Sequence, residues 1–258
     1  MKHITSRDNP LFRELKKLAA SSRQRRKSGL VILDGVHLLQ ALLASGGKPQ
    51  RLIVTQAGLD DAEISALLQQ LPDVPISCFD DSLFEEISEL KTPTGILTLI
   101  PHPQPTSPTV GHSRFCLLLE DIQDPGNLGS MIRTAAAAGC DAVFLSKGCV
   151  DAWSPKVLRG GMGGHFVLDI HEPADLPKVA ASFSGEVYAA SLQATRSLYE
   201  CDFRGATAFA IGNEGAGLSE ELRRATHPII IPMSGKVESL NAAAAAAVCL
   251  FEAGRQRK

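Results

Sequence analysis

The stretch IPMSGKVESLNAAAAAAVCLFE, Ile231 to Glu252, decides how the rest of the chain is read. A hydrophobic run stops at a loop of small and polar residues, and Asn241 then opens six consecutive alanines, Ala242 to Ala247. Ser239 and Asn241 are residue types that cap a helix start by accepting from its free backbone N–H groups. A helix of alanines has no projecting bulk, so another backbone can pack very close to it. The loop MSGKVES ahead of it exposes N–H and C=O groups. The pairing predicts a loop that holds a ligand by its main chain, set against a helix kept thin because something packs or threads beside it.

Two junctions upstream have the same character. LLLEDIQDPGNLGSMIRTAAAAG runs from a strand through an Asp-Pro-Gly-Asn turn into a helix, with Asn127 as its expected N-cap. Arg133 follows about two turns later among small apolar positions. It reads either as the exposed end of a helix face or as a fixed clamp for a phosphate or carboxylate. FAIGNEGAGLSEEL places three glycines within six residues, which lets the backbone approach a ligand closely. Ser219 and the Glu220–Glu221 pair read as helix capping. Glu214, flanked by glycines, reads as an exposed acid in a turn, as an acceptor for a ligand, or as a partner that orients Arg133.

Apolar strands alternate with helices around these junctions. From FCLLLED onward the order is strand, helix NLGSMIRTAAAAG, strand AVFLS, short helix SPKVLRGG, strand FVLDI, helix LPKVAASF and strands EVYAAS and ATAFAIG. Helix SEELRRA, strand PIIIPM and the terminal helix complete it. Strands that are apolar throughout suit a parallel sheet covered on both faces. In such sheets ligands sit beyond the carboxyl ends of the strands, where the three junctions lie. A smaller α/β pattern precedes: LVILDGVHLLQALLASGG as strand, turn and amphipathic helix ending at Gly46–Gly47, then strand RLIVT, helix DAEISALLQQL, strand VPISCF, helix DDSLFEEISEL and strand GILTLI. PHPQPTSPTVGHS, Pro101 to Ser113, carries four prolines and little to bury, the composition of a linker. The expected division is therefore 1–100, a linker at 101–113, and 114–258.

Composition narrows the classes. With 258 residues, 44% hydrophobic, the chain can bury a core. A net charge of −2 argues against a wholly basic nucleic-acid binder. It leaves room for the local run Arg13 to Gly29, which holds seven cations against Glu14 alone. That run reads equally as a solvated face and as a phosphate-contacting arm, with Arg23, Arg25, Arg26 and Lys27 as its densest part. The six cysteines form no CxxC pair and read as buried, reduced thiols of a cytoplasmic protein. No apolar run approaches the ~18–20 residues of a membrane span, and the His and Cys show no metal-ligand spacing. The GxGxxG fingerprint of dinucleotide folds is missing, which disfavours a dehydrogenase.

Taken together and in order, DPGNLGSMIRTAAAAG, IGNEGAGLSEEL and IPMSGKVESLNAAAAAAVCLFE resemble the three signature motifs of the SpoU/TrmH family. These are RNA 2′-O-ribose methyltransferases of the SPOUT superfamily. The resemblance spans roughly Phe115 to Glu252. More loosely, ITSRDNPLFRELKKL and VILDGVHLLQALLASG resemble that family's small RNA-binding domain, with Asp34 where relatives commonly carry Glu. What the resemblance implies is an α/β methyltransferase domain whose C-terminal segment passes through a loop as a trefoil knot, beside a small N-terminal RNA-binding domain. S-adenosylmethionine would be held mostly by main chain, from Gly212, Ile231 and Leu240, with Asn213, Met233 and Gly235 nearby. Homodimers, with both subunits shaping each site, are the family's working form. The RNA would be ribosomal, with transfer RNA as the alternative.

Asn127, Arg133, Glu214, Ser239 and Asn241 match the family's functional positions. The counterpart of Arg133 is proposed there as a base. Guanidinium groups lose a proton only at about 12.5–13.8, so anchoring a phosphate and stabilising alkoxide charge is the competing role. A non-catalytic RNA-binding protein is the contrasting class, and the joint presence of these five residues argues against it. One departure is RGGMGGHF, Arg159 to Phe166, where Gly160 and Gly161 replace the family's Ala-Ser pair.

Overall fold

In the computed structural model, residues 1–104 and 114–258 are described. The unbroken apolar strands do form an all-parallel sheet. Six strands, β6 (Phe115–Leu119), β7 (Ala142–Leu145), β8 (Asp169–His171), β9 (Glu186–Ala190), β10 (Thr207–Ile211) and β11 (His227–Ile229), lie in the order β11-β9-β10-β6-β7-β8. Every pairing is parallel; β6 runs beside β10 from Phe115↔Thr207 to Leu119↔Ile211. Alternate residues of β6 explain the composition. Cys116 and Leu118 face a core closed by α9 (Leu176–Ser182) and α10 (Glu220–Arg224). All five β6 residues are buried, so neither face has room for a polar side chain. Two long helices, α7 (Pro125–Ala138) and α11 (Ala242–Gln256), pack against each other, and α11 also packs on β10. The buried positions of α11 include Ala242, Ala243, Ala246 and Ala253, which keeps the two helix backbones close.

These strands belong to one of two compact units, 104–152 with 167–258. The other comprises 1–103 with 153–166. Its sheet has the order β1-β4-β3-β5-β2, built from β1 (Lys2–Ile4), β2 (Leu30–Asp34), β3 (Arg51–Val54), β4 (Ile76–Phe79) and β5 (Ile96–Pro101). β5 runs antiparallel to β2 and β3; β1 and β3 run parallel to β4. Strand β1 had no sequence signal, since only Ile4 is buried; pairing with Ser77 to Phe79 defines it. β5 extends through Pro101, and 105–113 of the expected linker lie outside the described residues.

The basic run folds as two helices. α1 (Pro10–Ala20) buries Phe12, Leu15 and Leu18 and starts at Asn9, whose side chain accepts from Leu11 N at 2.9 Å. α2 (Ser22–Ser28) ends at Gly29. Arg25 is buried, and its Nη1 donates to the carbonyls of Leu18 (2.5 Å) and Ala19 (3.1 Å). Its guanidinium therefore satisfies the end of α1 and does not project to solvent as expected of an RNA contact. Arg23, Arg26 and Lys27 are exposed. Asp34 ends β2 and accepts from Ser88 Oγ at 2.7 Å and Glu89 N at 3.2 Å. Burial pushes its carboxyl up, and these hydrogen bonds oppose the shift.

Residues 153–166, placed by sequence in the C-terminal half, group with the first unit. Their helix α8 (Pro155–Gly161) buries Val157 and Leu158. Trp153 packs against the His102 and His165 rings at 5.5 and 5.2 Å. This explains Gly161. A Cβ on Gly161 would lie 2.4 Å from His165 Cε1 and 2.6 Å from its Nδ1, and His165 is buried. The imidazole occupies the space of a side chain at 161. Gly161→Ser, which restores the family residue, is expected to destabilise the protein by about 1–3 kcal/mol. Denaturant unfolding measures this, and His165→Ala in the same chain should recover most of the loss.

Candidate functional site

The strand order places a crevice. From β6 the chain moves outward through β7 and β8, then resumes on the far side of β10 with β9. The direction reverses between β6 and β10, and the crevice beyond their carboxyl ends is the expected ligand site. A cavity of about 650 Å³ opens there, a volume suited to a cofactor-sized ligand. Its walls are the end of β9 with the following turn (189–194), the loop 211–218, and parts of 231–245. Gly212, Asn213, Ile231, Met233 and Leu240, singled out in the sequence, line it, and so do Glu214 and Ser239. Gly235 does not; it sits at φ 79° in the preceding loop.

The strand expected over 228–233 is cut to His227–Ile229. Past Ile229 the chain leaves the sheet, and Ile231 and Met233 become cavity wall. An apolar residue lining a ligand cavity and one lining a strand core look alike in sequence, hence the over-extension.

A second correction concerns α7. Its N-cap is Asp124, whose Oδ1 accepts from Asn127 N at 2.7 Å. Asn127 lies inside the first turn, so its side chain is free for other work. Its Nδ2 donates to Glu214 Oε1 in a short hydrogen bond, and its Oδ1 accepts from Asn241 Nδ2 at 3.1 Å. Asn241 caps α11, its Oδ1 accepting from Ala243 N (2.9 Å) and Ala244 N (3.2 Å). One polar chain thus joins the starts of α7 and α11 to the glycine-rich loop, across 87 and 114 residues of sequence. Glu214 is engaged by Asn127 and not by Arg133. Arg133 is exposed on α7, is not among the cavity-lining residues, and makes no hydrogen bond or ion pair among the described residues.

The loop after β10 is shaped by Asn213, whose Oδ1 accepts from Gly215 N (2.9 Å) and Ala216 N (3.0 Å). A Cβ on Gly212 would meet Gly217 C and O at 2.4 Å, so the loop folds back onto a residue that must lack a side chain. The cavity holds one carboxylate, Glu214, and one guanidinium, Arg223; most of the other lining residues are glycine or apolar. Such a wall suits a ligand with both a charged end and a flat apolar end. Sequence reasoning missed the 189–194 turn and Arg223. The turn's only signal was its place at the carboxyl end of a strand beside β10.

The fold is thus an α/β one with a six-stranded parallel sheet and a crevice at its point of reversal. Residues 114–251 match the model of the SpoU rRNA Methylase family, and residues 9–98 match an MRM3-like substrate binding domain. The chain belongs to the SpoU family. It is 34% identical to the 23S rRNA (guanosine(2553)-2′-O)-methyltransferase RlmP of Bacillus subtilis (strain 168), over 97% of this chain and 98% of that one. It is 32% identical to the human mitochondrial rRNA methyltransferase 3, covering 90% and 69%. Two crystal structures resemble it closely. An RNA 2′-O ribose methyltransferase gives a TM-score of 0.84 at 27% identity, with 99% of each chain covered. The AdoMet-bound rRNA methyltransferase of Sinorhizobium meliloti gives 0.83 at 25% identity, with 98% and 97% covered.

Proposed function

We propose that this protein transfers a methyl group from S-adenosylmethionine to a ribose 2′-OH of ribosomal RNA. The observation that carries the reading is the hydrogen-bonded chain Asn241–Asn127–Glu214, which ends on a residue that lines the cavity. The cavity fits the cofactor: its volume is right, Gly212 lets the 213–218 wall fold back upon it, and both a carboxylate and a guanidinium line it. Gly212, Ile231 and Leu240 would hold the cofactor by their backbones, with Asn213 and Met233 beside them. The cofactor supplies an electrophilic methyl, so the protein's task is chiefly to place the ribose oxygen in line with it. Asn127 and Asn241 fix the orientation of Glu214, and Ser239 lines the same wall. Arg133 stabilises charge on the ribose oxygen and its neighbouring phosphate. A homodimer suits its place on an exposed face outside the cavity, because a second subunit can present a ribose to it. The passage of 231–241 around the cavity is the segment a trefoil knot would use.

RNA capture falls to the first unit. Arg7 and Lys16 are paired with Glu86, and Arg13 with Asp8. Arg23, Arg26 and Lys27 are exposed on α2, and to these the contacts with phosphates are assigned. Replacing all three by Glu is expected to raise the KM for RNA, flatten the salt dependence of binding by roughly two log units per log unit of salt, and leave cofactor affinity unchanged. Filter binding across a salt series measures it. The substrate itself is found by mapping ribose methylation in ribosomal and transfer RNA from cells with and without the protein. Loss of a single ribosomal site supports the reading; loss only in transfer RNA replaces its substrate.

A further inference from the structure

Two adjacent acids at the carboxyl end of β6 grip the cavity loop at both of its ends. The Glu120 backbone still follows the sheet, donating to Ile211 O at 3.0 Å. Its carboxylate is bidentate on Ser219: Oε2 accepts from Ser219 N at 2.6 Å and Oε1 from Ser219 Oγ at 2.7 Å. Asp121 takes the other end. Its carbonyl accepts from Asn213 Nδ2 at 3.1 Å, and the same Asn213 folds the loop through Gly215 and Ala216.

Asp121 does this from a left-handed backbone, φ 55°, which side-chain-bearing residues seldom adopt. Ser146, just past β7, holds it there. Ser146 Oγ accepts from Asp121 N at 2.9 Å and donates to Asp121 Oδ1 at 2.7 Å. Strain of this kind persists only where surrounding contacts over-determine it, and it gathers where geometry matters for function. The loop it serves is rich in glycine and costly to order. A loop ordered before the ligand arrives does not charge that cost to binding.

We propose that Glu120 and Asp121 are positioning residues that pre-shape the Asn213–Ser219 wall and thereby set affinity for the cofactor. The inference rests on the assignment of this cavity to S-adenosylmethionine. It is tested by calorimetric titration of S-adenosylmethionine into the full chain, wild type and variants, with melting measured in the absence of ligand. Glu120→Ala should raise Kd by roughly tenfold or more. The KM for the cofactor should rise in step, with kcat at saturating cofactor within about twofold. Glu120→Gln should restore affinity to within a few-fold, since its amide oxygen can accept from Ser219 N and its NH₂ can donate to Ser219 Oγ. Asp121→Gly adopts φ 55° without strain, so it should keep its melting temperature while losing affinity with the Ser146 contact.

Wild-type affinity in Glu120→Ala and Asp121→Gly overturns the inference and leaves the cofactor assignment intact. A fall in kcat with unchanged KM also overturns it. So does a Glu120→Gln variant as weak as the alanine form. If Glu120→Ala does not fold, Ser219→Ala and Asp121→Gly decide, and unchanged affinity in both refutes the inference. A wild-type chain that binds no S-adenosylmethionine removes the assignment and the inference with it.

Discussion

Arg133→Ala is expected to abolish methyl transfer while leaving S-adenosylmethionine affinity within a few-fold of wild type. Arg133 is exposed on α7 and has no partner in the described fold, so its loss breaks no packing or hydrogen bond. Alanine is the best helix former, and α7 already ends in four of them. Folding and the cavity should therefore survive. On the proposed mechanism, what is removed is the cation that would meet the charge developing as the ribose oxygen attacks. Loss of one such donor typically costs ~10²–10³ in rate, and loss of a phosphate anchor at the same stroke adds misalignment. Arg133→Lys keeps charge but not the two-pronged fork, so it should recover only part of the rate. Single-turnover transfer to RNA with cofactor titration in parallel separates the effects. Unchanged turnover in the alanine variant would take Arg133 out of the mechanism.

The second large effect is expected at Gly212, and it should show in binding. A methyl group there would sit 2.4 Å from Gly217 C and O and 2.6 Å from Leu218 N. Those are backbone atoms, which cannot rotate aside as a side-chain tip can. The 213–218 wall would have to retreat by about an ångström, or the strand end would have to bend. Overpacking of this kind costs about 1–3 kcal/mol. If the cost falls on the binding-competent loop, Gly212→Ala raises the cofactor Kd by roughly five- to a hundredfold. Gly205→Ala, where a Cβ meets nothing within 4 Å, is the control for the substitution itself. Equal cofactor affinity in the two variants would show that the loop is not the cofactor wall.

Much of this arrangement is legible in the sequence. Asn127, Glu214 and Asn241 were marked by the company they keep: turn residues and glycines at the ends of apolar strands, where side chains are not needed for a core. Their roles were less readable. Asn127 reads as a cap because it follows an Asp-Pro-Gly turn and precedes an apolar helix, yet Asp124 sits three residues earlier and its Oδ1 accepts from the N–H of Asn127 itself. Glu120 and Asp121 looked like the polar end of a strand. Nothing local distinguishes a carboxylate that grips Ser219, 99 residues away, from one that faces water. Arg25 failed in the opposite sense. It stands in a run of exposed cations, and only the fold of α1 against α2 turns it inward to two carbonyls.

By itself, the sequence determined the class of fold, the parallel sheet, the three converging loops and the family. These follow from local rules: apolar runs must be buried on both faces, glycines mark close backbone approach, and capping residues mark helix starts. The tertiary structure alone decided which side chains pair across 87, 99 or 114 residues. It also decided that 153–166 would group with the first unit. Such choices are fixed by geometry between strand ends that are distant in sequence, and a hydrogen-bonding group carries no mark of its partner until the sheet has brought them together.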